Sequence, residues 1–372
     1  MDRTPTVPRR AAMFGALGGA AACLALRACA ARAEAGPLFL VCRVHPAAGA
    51  GVALVDAHAG AVAGPELPAR GHGICLRPGT AEAVVFARRP GTFAAVFEPT
   101  TGLVHRRFDT PPDRHFYGHG VFEPTGRILV ATENDVTRGQ GVLGLYDAAD
   151  GYRRVGELPA HGIGPHDIAL LPDGRTLAVA NGGILTLPES GRDKLNLDSM
   201  RPSLNRIELA SGRLFDDARL PDRLHRLSIR HLAQAEGGLI AVGLQWEGEP
   251  GDLVPLVAID RGHGLATLEA PAAALATMAA YIGSVAFDRS GTILGASCPR
   301  GDRLAFWRVA DGAFLRTVEI ADACALGPAA MPGRFLTASG TGAVLEIDAV
   351  DGTLMPLGER APVAYDNHLL LL

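Results

Sequence analysis

This chain has no surplus of charge of either sign. Its 372 residues carry 35 Lys+Arg against 39 Asp+Glu, a net charge of −4. That near-balance argues against a nucleic-acid binder, which would show a basic excess on a stripe or face to neutralise phosphates. It has no C-x-x-C pair, which excludes a zinc ribbon or a thioredoxin-type redox motif. It also lacks the C-x-x-C-H of c-type haem attachment, a Walker phosphate loop, an H-E-x-x-H zinc helix and any readable Ser-His-Asp spacing, so no catalytic group is assigned. Helical periodicity is missing too: past the first residues no segment keeps a 3.6-residue period over a dozen positions, although Ala272 to Ala280 has room for a brief helix. What is present is a 48% hydrophobic content, ample for a core and incompatible with disorder. Glycine (46) and proline (26) together make about a fifth of the chain and are spread along it, as in a fold with many tight turns.

Residues 1–33 read as an export signal and not as part of the fold. Arg9-Arg10 precede a mildly apolar run from Ala11 to Leu26, and Ala31-Arg32-Ala33 offers a cleavage site that leaves 34–372 as the mature domain. The paired arginines resemble a twin-arginine signal, with Phe14 standing later than the aromatic that usually follows the pair. The apolar run is short for a spanning helix, so the mature chain is expected to be periplasmic with no membrane span. Cleavage removes Cys23 and Cys29. The four remaining cysteines, Cys42, Cys75, Cys298 and Cys324, either bridge neighbouring repeats or stay as buried thiols.

The mature chain repeats. An apolar strand, a short turn ending in glycine and a second strand recur at Asp56 to Gly60, Glu98 to Gly102, Asp147 to Gly151, Glu208 to Gly212, Asp260 to Gly264, Ala310 to Gly312 and Asp348 to Gly352. The intervals between these glycines are 42, 49, 61, 52, 48 and 40 residues, the spacing of propeller blades. Between them lies a second turn, at Pro78-Gly79, Pro124 to Gly126, Pro172 to Gly174, Glu236 to Gly238, Arg289 to Gly291 and Pro332-Gly333, which occurs only six times. A four-stranded blade needs one turn between strands A and B and one between C and D. Seven of one and six of the other therefore predict an all-β, seven-bladed propeller whose last blade is shared by both chain ends. His368 to Leu372 supplies strand A, and Leu38 to Val44, Gly51 to Asp56 and Ala61 to Glu66 supply strands B, C and D, so no sheet edge stays open.

Strand A of each blade lines the central channel. Seven residues before each A–B glycine stand His72, His119, Asp167, His231, Ser284 and Leu326; His166 is one residue earlier in blade three, and the terminal strand begins Asp366-Asn367-His368. Five consecutive blades thus carry a histidine at or beside one phase, in a chain with 12 histidines. Two accounts compete. A histidine before strand A braces its own blade by hydrogen bonding, as in the Gly-His pairs of WD40 repeats, and Gly71-His72 and Gly118-His119 have that form. Alternatively, imidazoles converging at the axis hold iron, copper or zinc, or an anion when protonated.

The B–C loops should open on the same face. They carry Glu133-Asn134-Asp135 with Arg138 in blade two, Asn181 in blade three, Gln245-Trp246-Glu247 in blade four and Arg300 in blade five, and beside the histidines Arg230 precedes His231 and Asp167 follows His166. These polar residues are candidate ligand-binding groups. Blade three holds the longest insertion, between Asn181 and Asn205, which is placed to cover the histidine-bearing mouth as a lid or docking loop.

The stretches Tyr117-Gly-His-Gly-Val-Phe-Glu-Pro-Thr-Gly-Arg127, Thr132-Glu-Asn-Asp135, Gly139 to Asp147, Gly164-Pro-His-Asp167, Asn181-Gly-Gly183, Asp198 to Leu204 and Asp366-Asn367-His368 resemble the bacterial domain-of-unknown-function-1513 family over essentially the whole mature chain. The resemblance implies an exported β-propeller encoded in many bacteria beside imelysin-like and iron-uptake proteins, which are then its expected partners; it implies no particular activity. Three functions remain open at this point. One is a metal-binding protein of iron uptake. Another is a lactonase-like, metal-dependent hydrolase using the oxygens of Glu133, Asn134, Asp135 and Asn181. The third is an interaction scaffold that docks a partner through the blade-three insertion and Trp246.

Overall fold

Glycine-ended turns this closely spaced leave room only for short strands. The computed structural model describes residues 38–56, 60–191 and 193–372 and places there twenty-eight strands, β1–β28 in chain order, and one short α-helix, α1 (Ala272–Thr277), besides single turns of 3-10 helix. The export signal and the turn at 57–59 lie outside the described residues.

The strands form seven four-stranded antiparallel sheets, which are the seven blades expected. Their innermost strands are β4 (Gly71–Leu76), β8 (Arg114–Phe122), β12 (Pro165–Leu170), β16 (Leu227–Gln234), β20 (Ser284–Phe287), β24 (Ala323–Pro328) and β28 (Ala364–Leu371). Each lies against the next, and β28 lies against β4, so the ring closes. The closing blade joins both ends of the chain: β28 pairs with β1 (Leu38–His45), Leu369 opposite Val41, and β1 continues to β2 (Gly49–Asp56) and β3 (Gly60–Glu66). No A–B turn joins these two strands, which are the last and the first in chain order.

Blades stack face to face, so their middle strands are covered on both sides and read as unbroken apolar runs. All of β5 (Ala83–Ala87) and β21 (Ile293–Cys298) is buried, whereas the outermost β7 (Val104–Asp109) is largely exposed. Much of the core lies between blades. Phe86 of blade one meets Phe116 of blade two with ring centroids 5.5 Å apart, and Phe108 stacks on Tyr152 at 5.1 Å. Each buried aromatic of this kind stabilises the stack by roughly 1.5–3 kcal/mol. Cys42, Cys298 and Cys324 are buried and Cys75 is half-buried; all four are free thiols. No helix among the described residues is long and apolar enough to cross a membrane.

Candidate metal centre and the cavity above it

The five histidines of the inner strands meet at the axis. Nine of the ten pairs of ring centroids among His72, His119, His166, His231 and His368 lie 4.6 to 6.3 Å apart, the tenth being His166 and His368, and each ring has another at 4.9 Å or less. One nitrogen from each of His72, His119, His166 and His231 falls within 4.8 Å of the others.

A local irregularity turns these side chains to the axis. In each of the five strands the pairing with strand B slips at the histidine: between Gly71 and Ile74, Phe116 and Gly120, Pro165 and Asp167, Ile229 and His231, and in β28 between Tyr365 and Leu369. Extra residues on strand A form β-bulges, which re-aim side chains that a regular ladder would send to a blade face. In blade three the extra residue is His166 itself, which is why it stands one position before the repeat phase. In blade four it is Arg230, so that strand presents both Arg230 and His231.

The Gly-His pairs are not braces. The His72 and His119 rings reach across to carboxylates of neighbouring blades, Nδ1 of His72 at 2.8 Å from Asp366 and Nδ1 of His119 at 3.0 Å from Asp167. The glycines serve close approach. Gly118 sits at φ +108°, and a Cβ there would lie 2.7 Å from Cδ2 of His72; a Cβ on Gly73 would lie 2.8 Å from Nδ1 of His119.

Asp366 fixes the tautomer of His72. An ionised carboxylate only accepts, so Nδ1 of His72 carries the proton and its Nε2 keeps a lone pair. Asp366 is itself held by Arg70 Nε at 2.6 Å and Arg88 Nη1 at 2.9 Å. Burial opposes its ionisation, but His72, Arg88 and Arg70 together keep its carboxyl well below the usual range. His166 is arranged the other way: Arg230 Nη2 lies 2.7 Å from its Nε2. Because a guanidinium only donates, Nε2 accepts and the proton sits on Nδ1, so His166 is a donor toward the cluster unless Arg230 moves away.

Burial holds His72, His166, His231 and His368 below the usual imidazole range. It pulls His72 down to about 4 against the upward push of Asp366. His166 and His231 are held well below the usual histidine range by burial first and by Arg230 and neighbouring imidazoles second; His368 is lowered by burial and by His119 and His72. His119 Nε2, His166 Nδ1, both nitrogens of His231 and His368 Nε2 are buried with no hydrogen-bond partner among the described residues. Neutral imidazoles with unsatisfied nitrogens on one axis suit a nitrogen-binding metal better than an anion on the rings themselves. With a metal about 2.1 Å from each nitrogen, tetrahedral ligands stand about 3.4 Å apart, so nitrogens separated by as much as 4.8 Å have to draw in around it.

Above the histidines lies a cavity of about 580 Å³, lined by His72, His166 and the B–C loops. Arg230, Gln245 and Arg300 reach it, as does the blade-three insertion through Gly182, Ile184, Thr186, Gly191 and Lys194. Lys194, the chain's single lysine, bonds Glu247 of blade four, and Arg89 bonds Thr186, so the insertion is tied across the mouth to two other blades. Arg300 packs over Tyr281 at 4.6 Å and Arg89 over Tyr117 at 5.8 Å.

Other candidates stand elsewhere. Glu133 is wholly buried inside blade two, accepting from Tyr146 Oη at 2.5 Å and Arg154 Nη2 at 2.9 Å. Asp135 pairs with Arg114 at 3.2 Å and accepts from the Arg138 backbone at 2.9 Å; the Arg138 side chain is exposed. Asn134 is buried without a partner for its amide, and Asn181 donates to the Ala160 carbonyl at 3.0 Å. None of these five side chains lines the cavity. Asp167 does not line it either; its carboxylate stands 3.0 Å from Nδ1 of His119. Sequence reasoning overlooked Arg88 and Arg89, which directly follow β5 just as Gly182 follows β13 (Thr176–Asn181); the loop position that drew attention in blades two to five holds them in blade one.

Fold and site together define a seven-bladed β-propeller with a buried imidazole cluster on its axis and a cationic cavity over it. The chain belongs to the family described as "Protein of unknown function (DUF1513)", which it matches over residues 65–372. No curated protein matches it. Among solved structures it is similar to Kuenenia stuttgartiensis hydrazine synthase, with a TM-score of 0.62 and 16% identity over 81% of this chain and 90% of that one. It is also similar to the β-propeller domain of Myceliophteria thermophila Cps50 (Swd1), with a TM-score of 0.58 and 13% identity over 82% and 90%. At such identities the likeness concerns the fold alone.

Proposed function

We propose that this chain is an exported propeller that binds a transition metal (iron, copper or zinc) on its axial histidines, and that it acts in the periplasm in iron uptake beside imelysin-like partners. The observation that carries the metal reading is His231, 1% exposed and bonded through neither ring nitrogen to any of the described residues. A buried polar group left unpaired costs about 1–3 kcal/mol, and a metal is the occupant that neutral imidazoles would satisfy. Lone pairs come from Nε2 of His72, oriented by Asp366, and from His119 and His231, whose rings lie with it in one group of nitrogens; His368 stands beside them. His166 joins if Arg230 releases it. Export is supported by the leader, and the iron-uptake setting by the family resemblance. The hydrolase reading has no comparable support, since Glu133 and Asp135 are engaged by arginines inside blade two.

The test is metal analysis of the purified mature chain before and after dialysis against iron, copper and zinc salts. Close to one metal per chain is expected, lost in His119→Ala and His231→Ala. Mature protein that takes up none of the three, or variants that keep the full complement, would overturn the reading.

A further inference from the structure

Histidines account for the floor of the cavity but not for its walls. In a chain of net charge −4, the cavity gathers Arg88, Arg89, Lys194, Arg230 and Arg300. Asp366 takes Arg88, and Glu247, the cavity's one carboxylate, takes Lys194. Among the described residues no carboxylate comes within ion-pair distance of Arg89, Arg230 or Arg300. Two of these guanidiniums are packed against tyrosine rings and the third against His166, so they are fixed in place instead of ranging through solvent. Nε of Arg230 is buried and unpartnered.

Like charges gathered in a concave, partly dehydrated site repel one another, and a folded chain keeps them there only if something else neutralises them. Guanidiniums present forked donors that match carboxylate and phosphate oxygens two at a time. The volume falls in the range of small-molecule sites, and Gln245, Ser228 and Tyr281 add neutral hydrogen-bonding groups.

We infer that this cavity binds a small oxyanion with two or more negative charges, a polycarboxylate or a phosphate, clamped by Arg89, Arg230 and Arg300 directly over the histidines. With a metal on the imidazoles, the anion is placed to contribute oxygen ligands from above, so that metal and anion are held as one unit. That last step rests on the metal reading; the binding of the anion itself does not.

Calorimetric titration of the mature chain, metal-free and metal-loaded, with citrate, succinate, inorganic phosphate and the neutral control glucose tests the inference. At least one anion is expected to bind the metal-free chain with submillimolar affinity, weakening as salt rises, while glucose does not bind. Arg89→Gln and Arg300→Gln, neither of which touches a histidine, should each weaken that anion tenfold or more and leave metal stoichiometry unchanged. Citrate and succinate binding without phosphate identifies a carboxylate ligand, and the reverse a phosphate. If no anion binds, or the Arg89→Gln/Arg300→Gln double variant binds as well as the parent, the inference falls even where metal binding holds. If anions bind but no metal does, the metal reading falls and the arginine site remains.

Discussion

Asp366 is the residue on which most of the site turns. It is 2% exposed, accepts from His72 and is the shared counter-ion of Arg70 and Arg88. An amide in its place can still accept a hydrogen bond, but it leaves two guanidiniums without their charge partner and lets the His72 tautomer invert. Asp366→Asn is therefore expected to destabilise the fold by about 3 kcal/mol and to weaken metal binding roughly 10–100-fold, as read from denaturant unfolding and metal titration. Unchanged affinity would show that the carboxylate orients nothing. The sequence displayed Asp366 only as part of a terminal tripeptide. Nothing in its spacing revealed that it faces Arg70 and Arg88, almost the whole chain away.

Strand A is the element that matters, and its bulges matter more than its ladder. Counting back from the turn glycines located the right strands, but a fixed phase assumes regular pairing. That is why the count landed on Asp167 instead of His166, while Arg230, a candidate only as the neighbour of His231, is the bulge residue turned to the cavity. Gly118 shows how tightly adjacent bulges interlock. Gly118→Ala would place a methyl against His72 and force a positive φ on alanine, so we expect a loss of about 1–3 kcal/mol together with impaired metal uptake. Gly79→Ala is the matched control: its φ is +71° but no atom lies within 4 Å of the added Cβ, so it should cost about 1–2 kcal/mol and leave metal uptake intact. Thermal unfolding and metal analysis of the pair separate backbone strain from crowding at the axis. Equal metal uptake by both would mean that the crowding is without consequence.

At the scale of the whole molecule, ring closure converts positions between 72 and 368 into neighbours, and global stability then depends on their shared burial. The folded pKa of His72 is pulled to about 4, and those of His166, His231 and His368 are well below the ordinary value. Between those values and about 6.5 the unfolded chain takes up protons that the folded chain refuses, so stability is present at neutral pH and is lost as pH falls. Each such imidazole adds a slope of about 1.4 kcal/mol per pH unit in that window. Urea unfolding of the metal-free chain at pH 4.5, 5.5 and 6.5 should show the decline, made shallower by His231→Ala; a flat profile would mean that the cluster opens to water before it titrates.

The sequence by itself determined the architecture. Turn glycines and apolar strands are local signals, and the count of seven against six is a property of the one-dimensional order that only a ring with shared ends satisfies. It also marked the five histidines, because the inner strand recurs in step with those turns. Tertiary structure alone decided which nitrogens are free, that Glu133 and Asp135 belong to the interior of blade two, and that arginines from three blades share one cavity. Bulges, tautomers and charge pairing depend on which side chain of another blade stands opposite, and no spacing within a blade encodes that.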